Sequence, residues 1–293
     1  MAVAASPLRY PGGKACLYDL MSLILRQNKM SRLDYAEPYA GGCGLALSLL
    51  FAGDVADIHI NDIDASIWAF WHSVLERTEE LVAKIKETPV TIAEWHVQRQ
   101  IHRDQNSDDF LTLGFSTFFL NRTNRSGIIT GASAIGGLSQ TGNYLINCRY
   151  NVDDLVNRIR RIKKYKDRIH LTNLDALEFL KRAPADLPAT TFFCIDPPYF
   201  NKGSSLYTSF YVKEDHEALA DEVLKMNFPW VVTYDQTDEI QSLYKSRRQF
   251  CFDINYSVQT KQVGTELLIA SKGLRLPDEI RERQVSRPQY RAA

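Results

Sequence analysis

The chain is most constrained at residues 192–199, where four consecutive apolar side chains, Phe192-Phe193-Cys194-Ile195, run straight into Asp196-Pro197-Pro198-Tyr199. An unbroken apolar run of that length, bounded by turn residues, reads as a buried strand. Two prolines have no N–H to give a neighbouring strand and hold φ near −65°, so the ladder stops there and the backbone stays extended. The result is a carboxylate at the end of a buried strand, beside carbonyls that neither sheet nor helix uses. At 293 residues and 45% hydrophobic content, the chain can bury a full core around that strand, as one large domain or one domain carrying an insertion.

Further short apolar runs alternate with helical patterns at both ends of the chain, which predicts a mostly parallel sheet covered by helices. Strands are expected near 34–37, 56–61, 168–173, 190–195, 229–234, 249–256 and 265–271. About a hundred residues separate the second from the third, far more than an ordinary α/β connection, so a subdomain is expected there. Its first part, from Ala65 to about His102, reads helical, with Trp68, Trp71, Leu75, Val82 and Ile85 spaced for one buried face. Residues 121–144, rich in Gly, Ser, Thr and Asn, read as a loop or loose hairpin. The expected division is a catalytic domain of residues 1–75 and 166–272, an inserted domain of 76–165, and a frayed or partner-bound tail of 273–293.

Lysine plus arginine (35) equals aspartate plus glutamate (35), so any polyanion site has to be a local patch. The five cysteines are scattered, form no C-x-x-C pair and suit reduced core thiols rather than disulfides or zinc. No basic-then-apolar leader and no membrane-length apolar run is present, so a soluble, cytoplasmic protein with no membrane partner is expected. The six histidines form no H-E-x-x-H; the nearest pair, His96 and His102, reads as packing or solvent-facing, and no metal site is expected.

Three other stretches carry chemistry. Residues 35–53 place a short strand, glycines at 41, 42 and 44, and an apolar helix from about Leu45, the first strand-to-helix turn at which open α/β sheets bind nucleotides. The second strand ends at Asn61-Asp62, where an acid can hold a ribose hydroxyl pair; a helix cap is the plain structural role for Asp62. The third turns into a helix at Asp175. No phosphate cradle with a lysine accompanies these turns, which disfavours ATP or GTP. Asp196, the free carbonyls beside it and the Tyr199 ring together suit a planar group bearing an exocyclic amine.

In "LRYPGGK" (8–14), "EPYAGGCG", "NDID", "FFLNRT", "DPPYF", "WVVTYD" and "GTELLIAS" the chain resembles the Dam-type, D12 class, DNA adenine-N6 methyltransferases over nearly its whole length. The resemblance implies a Rossmann-like class I methyltransferase sheet of seven mostly parallel strands with a mainly helical inserted target-recognition subdomain. It implies S-adenosylmethionine as methyl donor and double-stranded DNA as partner. By position, Tyr10, Gly13 and Lys14 would contact the cofactor from the N-terminal segment and Tyr39, Ala40 and Gly41 would follow its methionine part. Asp62 would hold the ribose, and Asp175 with Ala176 would border the adenine. Asp196, Pro197, Pro198 and Tyr199 would receive a flipped-out adenine, with Tyr199 stacking on it and Asp196 also beside the cofactor.

The insertion departs from the pattern of the enzymes that read GATC: "NRTNRSGIIT" puts Arg125 and Ser126 where those carry an aromatic residue and asparagine, and Thr130 where they carry arginine. GATC specificity is therefore not implied. Arg122, Arg125 and Ser126 stand as DNA-contacting candidates, because a guanidinium grips guanine or phosphate with two hydrogen bonds; a buried structural arginine is the competing role for Arg122. The run of seven basic residues from Arg158 to Arg168 reads either as a solvated helix face or as a phosphate-tracking stripe. In the second case, neutralising Arg160, Arg161, Lys163 and Lys164 flattens the salt dependence of DNA affinity. Two alternatives stay open: an RNA adenine methyltransferase, and a non-catalytic DNA-binding or scaffold subunit of a restriction or defence complex, in which a cognate endonuclease or defence subunit would be the partner.

Overall fold

The structure, a computed structural model, describes residues 4–10, 12–106, 108–200, 211–256 and 262–286. Eight strands form one sheet: β1 (Tyr35–Glu37), β2 (Ile58–Asn61), β3 (Ile169–Thr172), β4 (Phe192–Ile195), β5 (Trp230–Asp235), β6 (Arg248–Tyr256), β7 (Gln262–Ala270) and β8 (Gln284–Ser286). Their order is β3-β2-β1-β4-β5-β7-β6-β8. The first five in that row are parallel, and β7, β6 and β8 add antiparallel pairs. Successive strands march outward from β1 to β3, and the chain then returns to lay β4 against the other side of β1. That reversal opens a crevice at the carboxyl ends of β1 and β4, which fixes where a ligand can sit.

Alternation along the strands sorts the core. Tyr35, Ile58, Ile60, Phe192, Cys194, Val231 and Leu268 face one side, while Ala36, Phe193, Ile195, Val232, Tyr234 and Ile269 face the other. The first face is covered by α1 (Tyr18–Gln27), α2 (Gly44–Ala52) and five helices that lie between β2 and β3: α3 (Ala65–Glu76), α4 (Thr78–Glu87), α5 (Ile92–Asp104), α6 (Phe110–Thr123) and α7 (Val152–Lys163). The second is covered by α8 (Ala176–Asp186), α9 (Lys213–Lys225) and α10 (Asp238–Leu243). Trp71, Phe118 and Ile159 from the long connection belong to the same apolar cluster as Tyr35 and Ile58, so those helices build a layer against the sheet.

Each expected strand is present within a few residues, and the count changes from seven to eight. The added strand lies in the stretch expected to fray. Residues 274–286 instead pack: Leu274, Leu276 and Ile280 are buried, α11 (Asp278–Arg281) forms, and β8 pairs with the outer edge of β6. The last part of the expected tail, residues 287–293, lies outside the described residues. The run from Ala65 to His102 is three helices, broken near Arg77 and at residues 88–91, and Trp68 is only half-buried against His72 and Phe110. Of the cysteines, Cys43 and Cys194 are core thiols, whereas Cys16 and Cys148 are exposed. Among the described residues no helix is long and apolar enough to cross a membrane.

Candidate active site at the carboxyl ends of β1, β2 and β4

A cavity of about 880 Å³, counting its open mouth, lies in this crevice and is walled by Tyr10, Gly13, Lys14, Glu37, Tyr39, the 40–45 turn, Asp62, Ile63, Asp64, Asp196, Pro198 and Tyr211. The turn after β1 reaches α2 through Gly41 and Cys43, both at positive φ (44° and 51°). The glycines do something other than expected. A Cβ on Gly41 or Gly42 would come within 2.7 or 2.5 Å of the Tyr10 side chain, so their smallness admits the N-terminal segment against the turn, and Tyr10 forms the wall a ligand meets.

That segment is held from the long connection. Asn121 accepts from the Arg9 N–H at 2.7 Å and donates to the Arg9 and Gly127 carbonyls. Arg122 is buried, donates to the Arg149 carbonyl and, at 3.3 Å, to the Pro7 carbonyl, and burial pulls its pKa down to about 10. Arg122 thus clamps residue 7 to residue 149, the structural role that competed with DNA contact in the sequence.

Asp62 is not the cap of α3; Asp64 is, accepting from the Ser66 and Ile67 N–H groups. Asp62 ties two turns together, accepting from Gly41 N at 2.8 Å and Asp64 N at 3.0 Å, and burial raises its pKa to about 7. Glu37, absent from the sequence-derived set, stands deeper: it accepts from Tyr35 Oη and from Ala46 N, and burial raises its pKa to about 8. Asp175 caps α8 and, like Ala176, is not part of the cavity wall. In that region the wall is Ile63, half exposed at 50%, and Tyr211, whose hydroxyl shares a hydrogen bond with Tyr39 Oη at 2.8 Å. An isoleucine directly after the acid that ends β2 was the signal in the sequence that could have marked Ile63.

Asp196 sits where the sequence places it, at the end of β4 with its side chain 20% exposed on the cavity wall. Its Oδ1 accepts from Thr233 Oγ1 at 2.6 Å and lies 3.0 Å from Lys14 Nζ. Burial raises its pKa, opposed by Lys14 and supported by Glu266. Lys14 is buried and also donates to Tyr199 Oη at 2.9 Å, and the Tyr199 hydroxyl donates in turn to Glu266. Pro198 lines the cavity; Tyr199 is buried behind it with its hydroxyl engaged.

The family model of the D12 class N6 adenine-specific DNA methyltransferases matches residues 10–262. The chain belongs to that family. No curated protein matches it. Among solved structures, a Legionella pneumophila protein aligns over 92% of this chain and 90% of its own at 10% identity and a TM-score of 0.34, a likeness that says nothing about function.

For a DNA methyltransferase the two basic features of the sequence fall in different places. The second half of α7 lies at the amino ends of the strands, remote from the cavity. Arg161 stacks 4.1 Å over Phe51 near the end of α2, Lys163 donates to the Leu75 carbonyl at the end of α3, and Arg168 donates to the carbonyls preceding β2. Arg160 pairs with Glu79 and Lys166 with Glu76, while Lys164 is exposed. Of the four residues expected to form a phosphate-tracking stripe, Arg160, Arg161 and Lys163 are thus engaged within the chain, and Lys164 is exposed. Arg125 and Ser126, by contrast, line an open cleft with Arg9, Tyr144, Cys148 and Arg149, reached from the active cavity through the Arg9-Tyr10 step. Among the described residues no carboxylate pairs with Arg9, Arg125 or Arg149.

Proposed function

We propose that this methyltransferase moves a methyl group from S-adenosylmethionine to the N6 amine of an adenine in double-stranded DNA. The observation that carries the reading is the Asp196 carboxylate on the wall of the cavity at the switch point of the sheet, with Oδ1 engaged and no donor on Oδ2 among the described residues. The cavity suits the donor: a turn too tight for a Cβ, a buried acid at the end of β2 and an exposed apolar side chain beside it match a methionine tail, a ribose and a purine face. Tyr10, Gly13, Lys14, Tyr39, Ala40 and Gly41 would hold the methionine part, Asp62 the ribose, and Ile63 with Tyr211 the purine in place of Asp175 and Ala176. When bound, the cofactor supplies a sulfonium-activated methyl group.

The chain's own residues act on the amine. Asp196 Oδ2 accepts one N6 hydrogen and the Pro197 carbonyl the other, which favours a pyramidal nitrogen and localises its lone pair for an in-line displacement. Extrusion of the base costs a few kcal/mol, and phosphate contacts must offset it. The unpaired arginines 9, 125 and 149 next to the cavity are the cations placed for that contact, with Ser126 beside them.

The test is incorporation of labelled methyl into duplex DNA by the wild type and Asp196→Ala. The wild type is expected to label N6 of adenine, and the variant to lose at least a thousandfold in rate with an unchanged melting temperature. Labelling of structured RNA with none of duplex DNA would overturn the substrate; full activity of the variant would overturn the mechanism.

A further inference from the structure

Asp196 does not stand alone, and its surroundings are more elaborate than an acceptor requires. Thr233 on β5 and Lys14 on the N-terminal turn Lys14–Leu17 both reach the same oxygen, Oδ1. Lys14 in turn sits 3.4 Å from Glu266 Oε2 and donates to the Gly12 carbonyl, while Tyr199 Oη links Lys14 to the other Glu266 oxygen. Lys14, Glu266, Tyr199 and Thr233 are all buried. Glu266 belongs to β7, an antiparallel strand opposite Asp235 of β5, and no other carboxylate comes within ion-pair distance of Lys14 apart from Asp196 among the described residues. A buried carboxylate on an interior strand is costly unless a charge balances it. Here a charge beside it, Lys14, also touches Asp196.

We propose that Thr233, Lys14 and Glu266 are positioning residues that fix the Asp196 carboxylate, holding Oδ1 inside the protein so that Oδ2 faces the substrate amine, with Glu266 acting through Lys14. The inference rests on the reading of Asp196 as the amine acceptor. A carboxylate with both donors on one oxygen cannot rotate about its last torsion without losing both, so the acceptor lobe of the other oxygen is preset. Lys14 ties this to the N-terminal segment, so the lobe is set only when Tyr10 and Ala15 are docked against the 40–45 turn. Tyr199 serves the same assembly through its hydroxyl.

The charged and titratable groups facing Asp196 are Lys14, Glu266, Glu37, Cys16, Cys194 and Tyr234. Of these Lys14 favours the ionised carboxylate and Glu266 opposes it, which gives the assembly a signature that packing alone lacks. With cofactor and duplex DNA saturating, Lys14→Met should move the acid limb of kcat to higher pH and Glu266→Gln should move it to lower pH, each lowering the plateau at least tenfold. Thr233→Val should lower kcat about tenfold with KM for DNA unchanged, and Thr233→Ser should restore it. Melting temperatures establish folding, and the threonine pair decides the matter should Glu266→Gln not fold. Wild-type plateau and acid limb retained in Glu266→Gln, or a Thr233→Val enzyme as fast as its serine counterpart, would overturn the proposal. A wild type that methylates no DNA refutes the underlying reading instead, so the two failures are distinct.

Discussion

Glu37 and Asp62 give the fold a pH response whose sign is fixed by burial. Both carboxyls titrate above their ordinary values of 4.5 and 3.8, at about 8 and about 7, because the charged form is desolvated. The folded state therefore keeps protons that the unfolded chain has released. Stability from these groups is complete below pH 4 and is lost as pH rises through 7 and 8. Burial lowers the pKa of His59, His72, His102 and His216, so the unfolded chain holds more protons on them just above pH 7, which offsets part of the fall there. Unfolding free energy measured in urea should fall by about 1 kcal/mol between pH 7 and 8.5, and Glu37→Gln should remove most of that fall. A flat profile for the wild type would contradict the assignment. The sequence placed the acid at the end of β2 but had no means to choose between Asp62 and Asp64 as helix cap. That choice depends on which backbone N–H groups each carboxylate reaches, and the partner of Asp62 is Gly41, 21 positions away.

The elements treat the two groups of basic residues differently. The basic run of α7 is conspicuous in the sequence, yet the helix packs on α3 and α4, and Arg160, Lys166, Arg161 and Lys163 engage Glu79, Glu76, Phe51 and the Leu75 carbonyl, while Lys164 is exposed. Arg9, Arg125 and Arg149 are isolated in the sequence and adjacent only in the fold. Replacing these three with glutamine should flatten the log–log dependence of DNA affinity on salt by roughly 2 to 3, at about 0.9 per phosphate contact. The quadruple replacement of Arg160, Arg161, Lys163 and Lys164 should leave the slope unchanged. The reverse outcome would return DNA to α7. Helix α6 was illegible for a related reason: "FLTLGFSTFFLNRT" is apolar on every side because it is buried on every side, so it offers no 3.6-residue stripe. At its end Asn121 holds Arg9 through a reciprocal pair of hydrogen bonds. Asn121→Ala should cost about 1–3 kcal/mol of stability, measured by denaturation. It should also weaken S-adenosylmethionine binding several-fold by calorimetry, because Tyr10 to Lys14 lose their anchor.

At the scale of the whole molecule, the parallel half of the sheet was legible because buried parallel strands are continuous apolar runs, and their ends fall at acids or prolines that punctuate the chain. The far edge was not, since residues 273–286 carry few apolar side chains and no periodic stripe of them. Leu274, Leu276 and Ile280 enter the core, Asn28 exchanges two hydrogen bonds of 2.8 Å with the Arg275 backbone, and Arg248 donates to the Leu274 carbonyl. The segment thus joins α1, on one face of the sheet, to β6 at its edge, and β8 caps a strand that would otherwise present unpaired N–H and C=O groups to solvent. These contacts are remote in sequence from everything they stabilise, which is why periodicity does not reveal them. Burying the three aliphatic side chains contributes on the order of 3 kcal/mol after allowance for a compact unfolded state. A chain ending at Lys272 should accordingly melt roughly 5 °C lower by calorimetry. It should also self-associate at concentrations where the full chain does not, as read by light scattering, because β6 becomes an open edge. An unaltered melting temperature would mean that residues 273–286 lie on the sheet without supporting it.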